Sequence, residues 1–339
     1  MSEFRIDQIK NQAGTSGPDV AGITTFTGSS GIVMPSGDTA YRGGRGRGVI
    51  MGGTNPGSTN EIEYVTISTL GNAEDFGDLT SAVKHVGCCA SSTRGIRGGG
   101  WGNTNTIDFV TITQTGNAFD FGELSTVTSA HGACSSSTRG LFGGGLSPSV
   151  YLDTISYITM ASKGDSSLFG DLTQARAYGT SGVSNGTRGV FAGGYIPGGT
   201  KQNTIDFVTI STLGNAADFG DMTVARDGLA GLSNTIRGVF GGGVAPGYSN
   251  IINYITITST GDAIDFGDLS VVRGYFTAGC SNATRGLFCG GYDSPSPLTR
   301  TKTIDYITIM SVGNAADFGD LLNDRGGAGA CSDSHGGLG

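Results

Sequence analysis

Charge is scarce in this chain of 339 residues. Only 14% of its side chains carry one, and the balance is acidic: 20 Lys and Arg against 28 Asp and Glu, a formal net charge of −8. A protein that grips a phosphate backbone needs a basic stripe, so this balance argues against nucleic acid as a partner. No apolar run approaches the roughly 18 residues of a membrane-spanning helix. No charged segment followed by an apolar one stands at the N-terminus. The expectation is a soluble chain made in a cytoplasm, without membrane insertion. Proline (8), histidine (3) and tryptophan (1) are also few. His85 and His131 precede small-residue segments of neighbouring repeats while His335 follows one, so the three are not expected to gather on a metal. No HExxH, P-loop, nucleophile elbow or paired-carboxylate motif occurs, so the sequence offers no catalytic residue, no metal ligand set and no cofactor site.

Glycine, in contrast, is abundant at 62 residues, without a Gly-X-Y period. It is needed for turns and close strand approaches. The phrase "NTIDFVTISTLGNAADFGDMT" from Asn203 occurs six times with variations, and the Phe of its FGD or FGE step falls at 76, 121, 169, 219, 266 and 318. Intervals of 45 to 52 residues mark stacked supersecondary units, propellers or solenoids. Within one unit, "DGLAGLS", "RGVFGGG", "INYITITS" and "DAIDFGDLS" are rich in β-branched and aromatic residues and bounded by Gly, Asn, Ser and Thr. That is the pattern of four short strands, and no helical stripe competes with it. The expected fold is therefore all-β, a propeller with one four-stranded blade per repeat.

An Arg, a small-residue strand, an aromatic-GG doublet ("VFGGG", "VFAGG", "LFCGG"), a variable loop and two further strands make up each unit. This resembles the kelch repeat over residues 37–339, with the Phe of "DFGD" standing where that family usually has Trp. The first unit lacks its small-residue strand, since "YRGGRGRGVIMGG" leaves no room for one. A surplus strand, "RGGAGACSDSHGG", follows the last unit from Arg325. A ring in which the C-terminal strand enters the N-terminal blade removes both exposed edges and gives six blades. The kelch resemblance implies that this strand is innermost.

Cys89, Cys134, Cys280 and Cys331 share one repeat position with Val183 and Leu232, so they are expected to be free thiols in a small apolar site. Cys88 and Cys289 have no evident partner. The acids closing the FGD step (Asp78, Asp171, Asp221, Asp268, Asp320), the Arg five residues later (Arg176, Arg226, Arg273, Arg325) and the Arg opening each second strand (Arg94, Arg139, Arg188, Arg237, Arg285) recur once per unit. They read as inter-blade hydrogen bonds rather than as chemistry. The Asp-rich "GNAADFGD" leaves calcium as an alternative.

Variation concentrates in the loop after the diglycine strand: "TNPGST", "WGNTN", "LSPSVYLD", "YIPGGTKQN", "VAPGYSN" and "YDSPSPLTRTK". These loops bring Trp101, Tyr151, Tyr195, Tyr248 and Tyr292 to one face, as exposed aromatics for protein or sugar contact or as covers for the blade ends. Residues 1–36 stand outside the repeat and lack core-forming periodicity. They read as an anchoring arm with Phe4, Ile6, Ile9 and Phe26 as its apolar contacts. The segment "FRIDQIKNQAGTSGPDV" resembles the N-terminal start of structural and tail-fibre proteins of tailed phages, especially those of marine cyanobacteria, and the near-identical repeats resemble virion proteins of the same phages. The resemblance implies a non-enzymatic virion protein assembled in the host cytoplasm. Its arm would engage other virion proteins, in an oligomeric setting, and its propeller would decorate the particle or meet a host glycan or protein. The alternatives are a carbohydrate- or protein-binding bacterial kelch-like propeller and, third, a kelch-fold enzyme.

Overall fold

The computed structural model describes residues 46–335, apart from 103, 179–180, 276 and 296 and the side chain of Ser294. All regular elements among them are strands, and they form six antiparallel four-stranded blades arranged as a β-propeller. Blade 5 shows the plan. Its inner strand is Ala230–Ser233, followed by a second strand Arg237–Gly241, a third Ser249–Thr256 and an outer strand Ile264–Arg273, paired in that order. Blade 1 is completed from the other end of the chain. Gly329–Ser332 forms its inner strand and pairs antiparallel with Arg47–Met51, Val49 opposite Cys331. The carboxylate of Asp333 then accepts the backbone N–H of Gly46 (2.6 Å) and Arg47 (3.1 Å), fastening the seam.

The repeated phrase builds the contacts between blades. In every blade the pairing of the third and outer strands shifts by one residue beside the FG step, as between Ile205 and Asp206 in blade 4. The bulge turns the Phe inward, and Phe76, Phe121, Phe169, Phe219, Phe266 and Phe318 are all buried in the inter-blade core. The following Gly lies against the turn of the next blade: a Cβ on Gly77 would stand 2.5 Å from the carbonyl oxygen of Gly116. That turn returns a main-chain bond, Gly116 N–H to the carbonyl of Phe76 (2.7 Å), and the same bond recurs round the ring to Gly71 N–H and Phe318 (3.0 Å). The Gly of "FGD" and the Gly of "GN" or "GD" are thus the two halves of one close contact.

Arginines clamp the same interfaces. The Arg opening each second strand lies over an aromatic ring of its own blade, Arg47 at 4.3 Å from the Tyr64 centroid, and donates to a carbonyl of the next blade, Arg47 Nη1 to Ile112 at 2.9 Å. Arg94, Arg139, Arg188, Arg237 and Arg285 do likewise. A second set is fully buried. Arg176 pairs with Asp206 of the next blade (2.9 Å), Arg273 with Asp305 (2.9 Å), Arg325 with Glu61 and Glu63, and Arg226 with the amide oxygen of Asn253 (2.6 Å). The partner is therefore the acid or amide of the "TID" step, and not the Asp closing "FGD". The FGD Asp contributes its backbone N–H instead, as from Asp221 to Asp262 Oδ1 (3.0 Å), because the bulge leaves its side chain outside the interface. Where Val83 replaces the Arg, Arg97 reaches Asp108 from within blade 2. Where Thr128 replaces it, the partner position holds Ser156, and no charge is buried.

The inner strands surround a narrow axial cavity of about 110 Å³. Hydroxyls stitch their lower ends together: Ser184 Oγ donates to the Ser135 carbonyl (2.7 Å), Ser233 to Ser184 (2.8 Å), Ser281 to Ser233 (2.8 Å), Ser332 to Ser281 and Ser135 to Ala90 (2.8 Å). Ala90 breaks the series. There His335 Nε2 lies 3.1 Å from Ser135 Oγ and 3.3 Å from the Ala90 carbonyl. All six cysteines are free, Cys88 half-buried and the others buried. Burial pushes the thiols of Cys134 and Cys331 up to about 12.

Candidate functional site

The antiparallel path places the variable loops after the second strands and the connections between blades on one face of the disc. The short turns within each blade lie toward the other. On the loop face the chain repeatedly adopts a left-handed conformation. Each connection between blades carries one such residue: His85 (φ 57°), Ala130 (56°), Tyr178 (58°), Gly228 (67°), Tyr275 (47°) and Gly327 (70°). Gly takes this conformation freely, while a side chain costs about 1–2 kcal/mol there. His85, Tyr178 and Tyr275 carry that strain at alternate connections, and each is packed by rings.

His85 meets Trp101 edge-on (5.8 Å, 77°), with the Lys84 ammonium 6.0 Å from the indole. Tyr178 meets Tyr151 (6.1 Å) and Tyr195 (6.0 Å), which stack on each other at 27°. Tyr275 meets Tyr248 (5.7 Å) and Tyr292 (6.3 Å). Lys201 lies over Tyr195, and Arg300 over Tyr292. Short hairpins shape two of these clusters, Tyr195–Ile196 with Thr200–Lys201 and Tyr292–Pro295 with Leu298–Arg300, and Leu146–Ser147 with Val150–Tyr151 completes the set.

Trp101 is exposed (46%), and Tyr151, Tyr195 and Tyr248 are half-buried. Tyr292 is not an exposed aromatic. It is 6% accessible, covered by Tyr275 and Arg300 and pressed against Gly326, where no Cβ would fit. Tyr292 is thus a support for its neighbours, and Tyr275 (37% exposed) takes the outward place. The pattern of variable loops does not reveal His85, Tyr178 and Tyr275 as residues of this face. A different signal does mark them, since each stands at a repeat position that Gly228 and Gly327 fill elsewhere. Phe4, Ile6, Ile9 and Phe26 lie outside the described residues.

The face also holds a cleft of about 190 Å³, lined by Gly100, Trp101, Gly102, Val127, Thr128, Ser129, Leu146 and Pro148. It opens between blades 2 and 3, the one interface where Thr128 stands in the buried-Arg position. Thr128 is 7% exposed, and its Oγ1 has no hydrogen-bond partner. Nearby His131 is buried and edge-on to Phe142 (5.7 Å). Burial, reinforced by the Arg97 guanidinium, lowers its pKa to about 4, so it is a neutral core residue at ordinary pH. Among the described residues no three His, Cys, Asp or Glu side chains gather into a metal-binding group. No protein-family model matches the chain, and no curated protein matches it.

Proposed function

We propose that the chain is a non-enzymatic structural protein of a tailed-phage virion, anchored through residues 1–36 and presenting the loop face of the propeller outward. One observation carries the reading: all six blades and the seam at Asp333 are complete within residues 46–335, and the reading assigns the segment before them to attachment. Its opening resembles the corresponding segment of phage structural proteins.

The interior supports a platform role. Its buried arginines are bonded to acids, an amide or backbone carbonyls across or within the blades, and its buried thiols are held protonated. These groups hold blades together, and the exposed diversity sits on the loop face. The test is cryo-electron microscopy of purified particles with a label against the propeller, beside particles carrying a chain lacking residues 1–36. The expected result is a labelled six-bladed disc that disappears from particles on truncation while the truncated protein stays folded in solution. Discs absent from every particle, or incorporated equally well without the arm, would refute the proposal.

A further inference from the structure

We propose that the short-turn face of the disc, over blades 5, 6 and 1, is a docking surface for a protein that presents apolar side chains flanked by lysines or arginines. The inference deepens the display reading and rests on it in one respect, that this face is the one turned toward the particle.

The repeats supply their own control. Ile236 stands just before the second strand of blade 5, where blades 2, 3, 4 and 6 carry Thr93, Thr138, Thr187 and Thr284. Met310 and Val312 stand in the turn after the third strand of blade 6. The first of these positions is Ser, Thr or Ala in every other blade, and the second is Thr115 in blade 2 and Thr260 in blade 5. Leu70 fills the second position in blade 1, and Ile264 opens the outer strand of blade 5. All five are between 46 and 59% exposed. None is needed to build a blade, since polar residues fill the equivalent positions elsewhere.

Contacts between blades bring the five together. Arg237, next to Ile236, donates to the carbonyl of Ile309, next to Met310 (3.0 Å). Gly313, next to Val312, donates its N–H to the carbonyl of Phe266, two residues from Ile264 (2.8 Å). Arg285 of blade 6 donates to the Ile67 carbonyl of blade 1, three residues before Leu70 (3.0 Å). Single exposed apolar residues are ordinary, but a group of them rimmed by polar residues marks a protein contact.

Two features select the partner. The first is the entry of the chain: the Gly46 carbonyl accepts the N–H of Ile67 (2.8 Å), so residues 1–45 join the ring on this face, beside the patch. The second is charge. Asp75, Asp265 and Asp317 are exposed at the outer margin of these turns and pair with no cation among the described residues. The arginines nearby are already committed, Arg47, Arg237 and Arg285 each to a carbonyl and an aromatic ring. An anionic bilayer, or a second copy of this acidic chain, would set negative charge against those carboxylates. Lysines or arginines around an apolar contact would complement them.

The test uses the full chain and a labelled synthetic peptide of alternating leucine and lysine, beside its counterpart with glutamate for lysine. Fluorescence anisotropy is expected to show saturable binding of the lysine peptide at about 10–100 μM and binding of the glutamate peptide weaker by about tenfold or more. The fourfold variant Leu70→Thr, Ile236→Thr, Met310→Thr and Val312→Thr takes a residue that other blades already use at each position, so it keeps the wild-type circular dichroism, and it carries the same net charge. It is expected to weaken the lysine peptide by about tenfold or more. The single variants Ile236→Thr and Met310→Thr, each expected to weaken it about threefold, decide the matter if the fourfold variant does not fold. Binding that survives these substitutions, equal binding of the two peptides, or no saturable binding overturns the docking surface. A dimer of the wild type in sedimentation that the variant abolishes would also overturn it, by assigning the patch to a second copy. None of these results touches the display reading, which stands or falls on the particles.

Discussion

Arg176 and Asp206 bridge blades 3 and 4 with both side chains inaccessible to solvent, which makes them the sharpest place to perturb the ring. Asp206 accepts the Arg176 guanidinium at 2.9 Å and the Thr173 hydroxyl at 2.6 Å. Without the carboxylate, Arg176 retains the Phe191 carbonyl at 3.1 Å as its acceptor. Removing one partner of a buried pair leaves an uncompensated charge and costs about 3–5 kcal/mol, a large share of the roughly 5–15 kcal/mol by which a domain is stable. Asp206→Ser is therefore expected to lower stability by about 3–5 kcal/mol. The protein itself supplies the rescue, because the interface of blades 2 and 3 carries Thr128 and Ser156 at these two positions. The double variant Arg176→Thr with Asp206→Ser installs that neutral pair and is expected to be more stable than Asp206→Ser alone by at least about 2 kcal/mol. Urea unfolding of wild type, both single variants and the double variant, followed by circular dichroism, measures the coupling. Costs that simply add would refute the view that the pair matters through charge compensation.

His131 predicts an acid-sensitive fold. Its pKa near 4 lies below the ordinary 6.5, so the unfolded chain binds the extra proton between those values. Its contribution is intact above about pH 6.5, falls by about 3 kcal/mol as the pH drops toward 4, and is flat below that. His131→Leu, which copies Leu229 at the equivalent position of another blade, should reduce that slope in pH-dependent denaturation, His85, whose pKa burial lowers to about 3, supplying the remainder; an unchanged slope would assign the acid sensitivity elsewhere. Ser184→Ala removes the hydroxyl that bonds the Ser135 carbonyl at 2.7 Å, and should cost about 1–2 kcal/mol in the same assay. The thiols other than Cys88 are buried and should resist a disulfide reagent until the protein unfolds, when all six react; rapid native titration of Cys134 or Cys331 would contradict their burial. Deleting residues 329–335 leaves the Arg47–Met51 edge unpaired, and loss of a monomeric, cooperative transition is expected by sedimentation and calorimetry.

The blade count, the four strands of each blade and the closing strand were legible in the sequence, because a period near 48 residues, strand-like runs and one missing strand matched by one surplus strand are local facts. Free thiols were legible for the same reason: a position shared by Cys134, Val183 and Leu232 tolerates only a small apolar group. The partner of each buried Arg was not. Asp221 lies five residues from Arg226 in the chain, yet Asn253 meets it, because the bulge at Phe219 turns the FGD acid outward and the next blade supplies the "TID" position. Exposure was equally hidden. Composition alone cannot rank Tyr292 below Tyr275, since burial depends on Gly326, in the connection that leaves the same blade, approaching the ring. The cleft at Trp101 required the tertiary structure altogether, for its lining is gathered from Gly100, Trp101 and Gly102 of blade 2, the connection at Val127, Thr128 and Ser129, and Leu146 and Pro148 of blade 3. The sequence by itself determined a closed ring of six blades, since repetition is written along the chain. Which side chains meet, and where a space is left between them, was decided by blades packing across separations of about fifty residues.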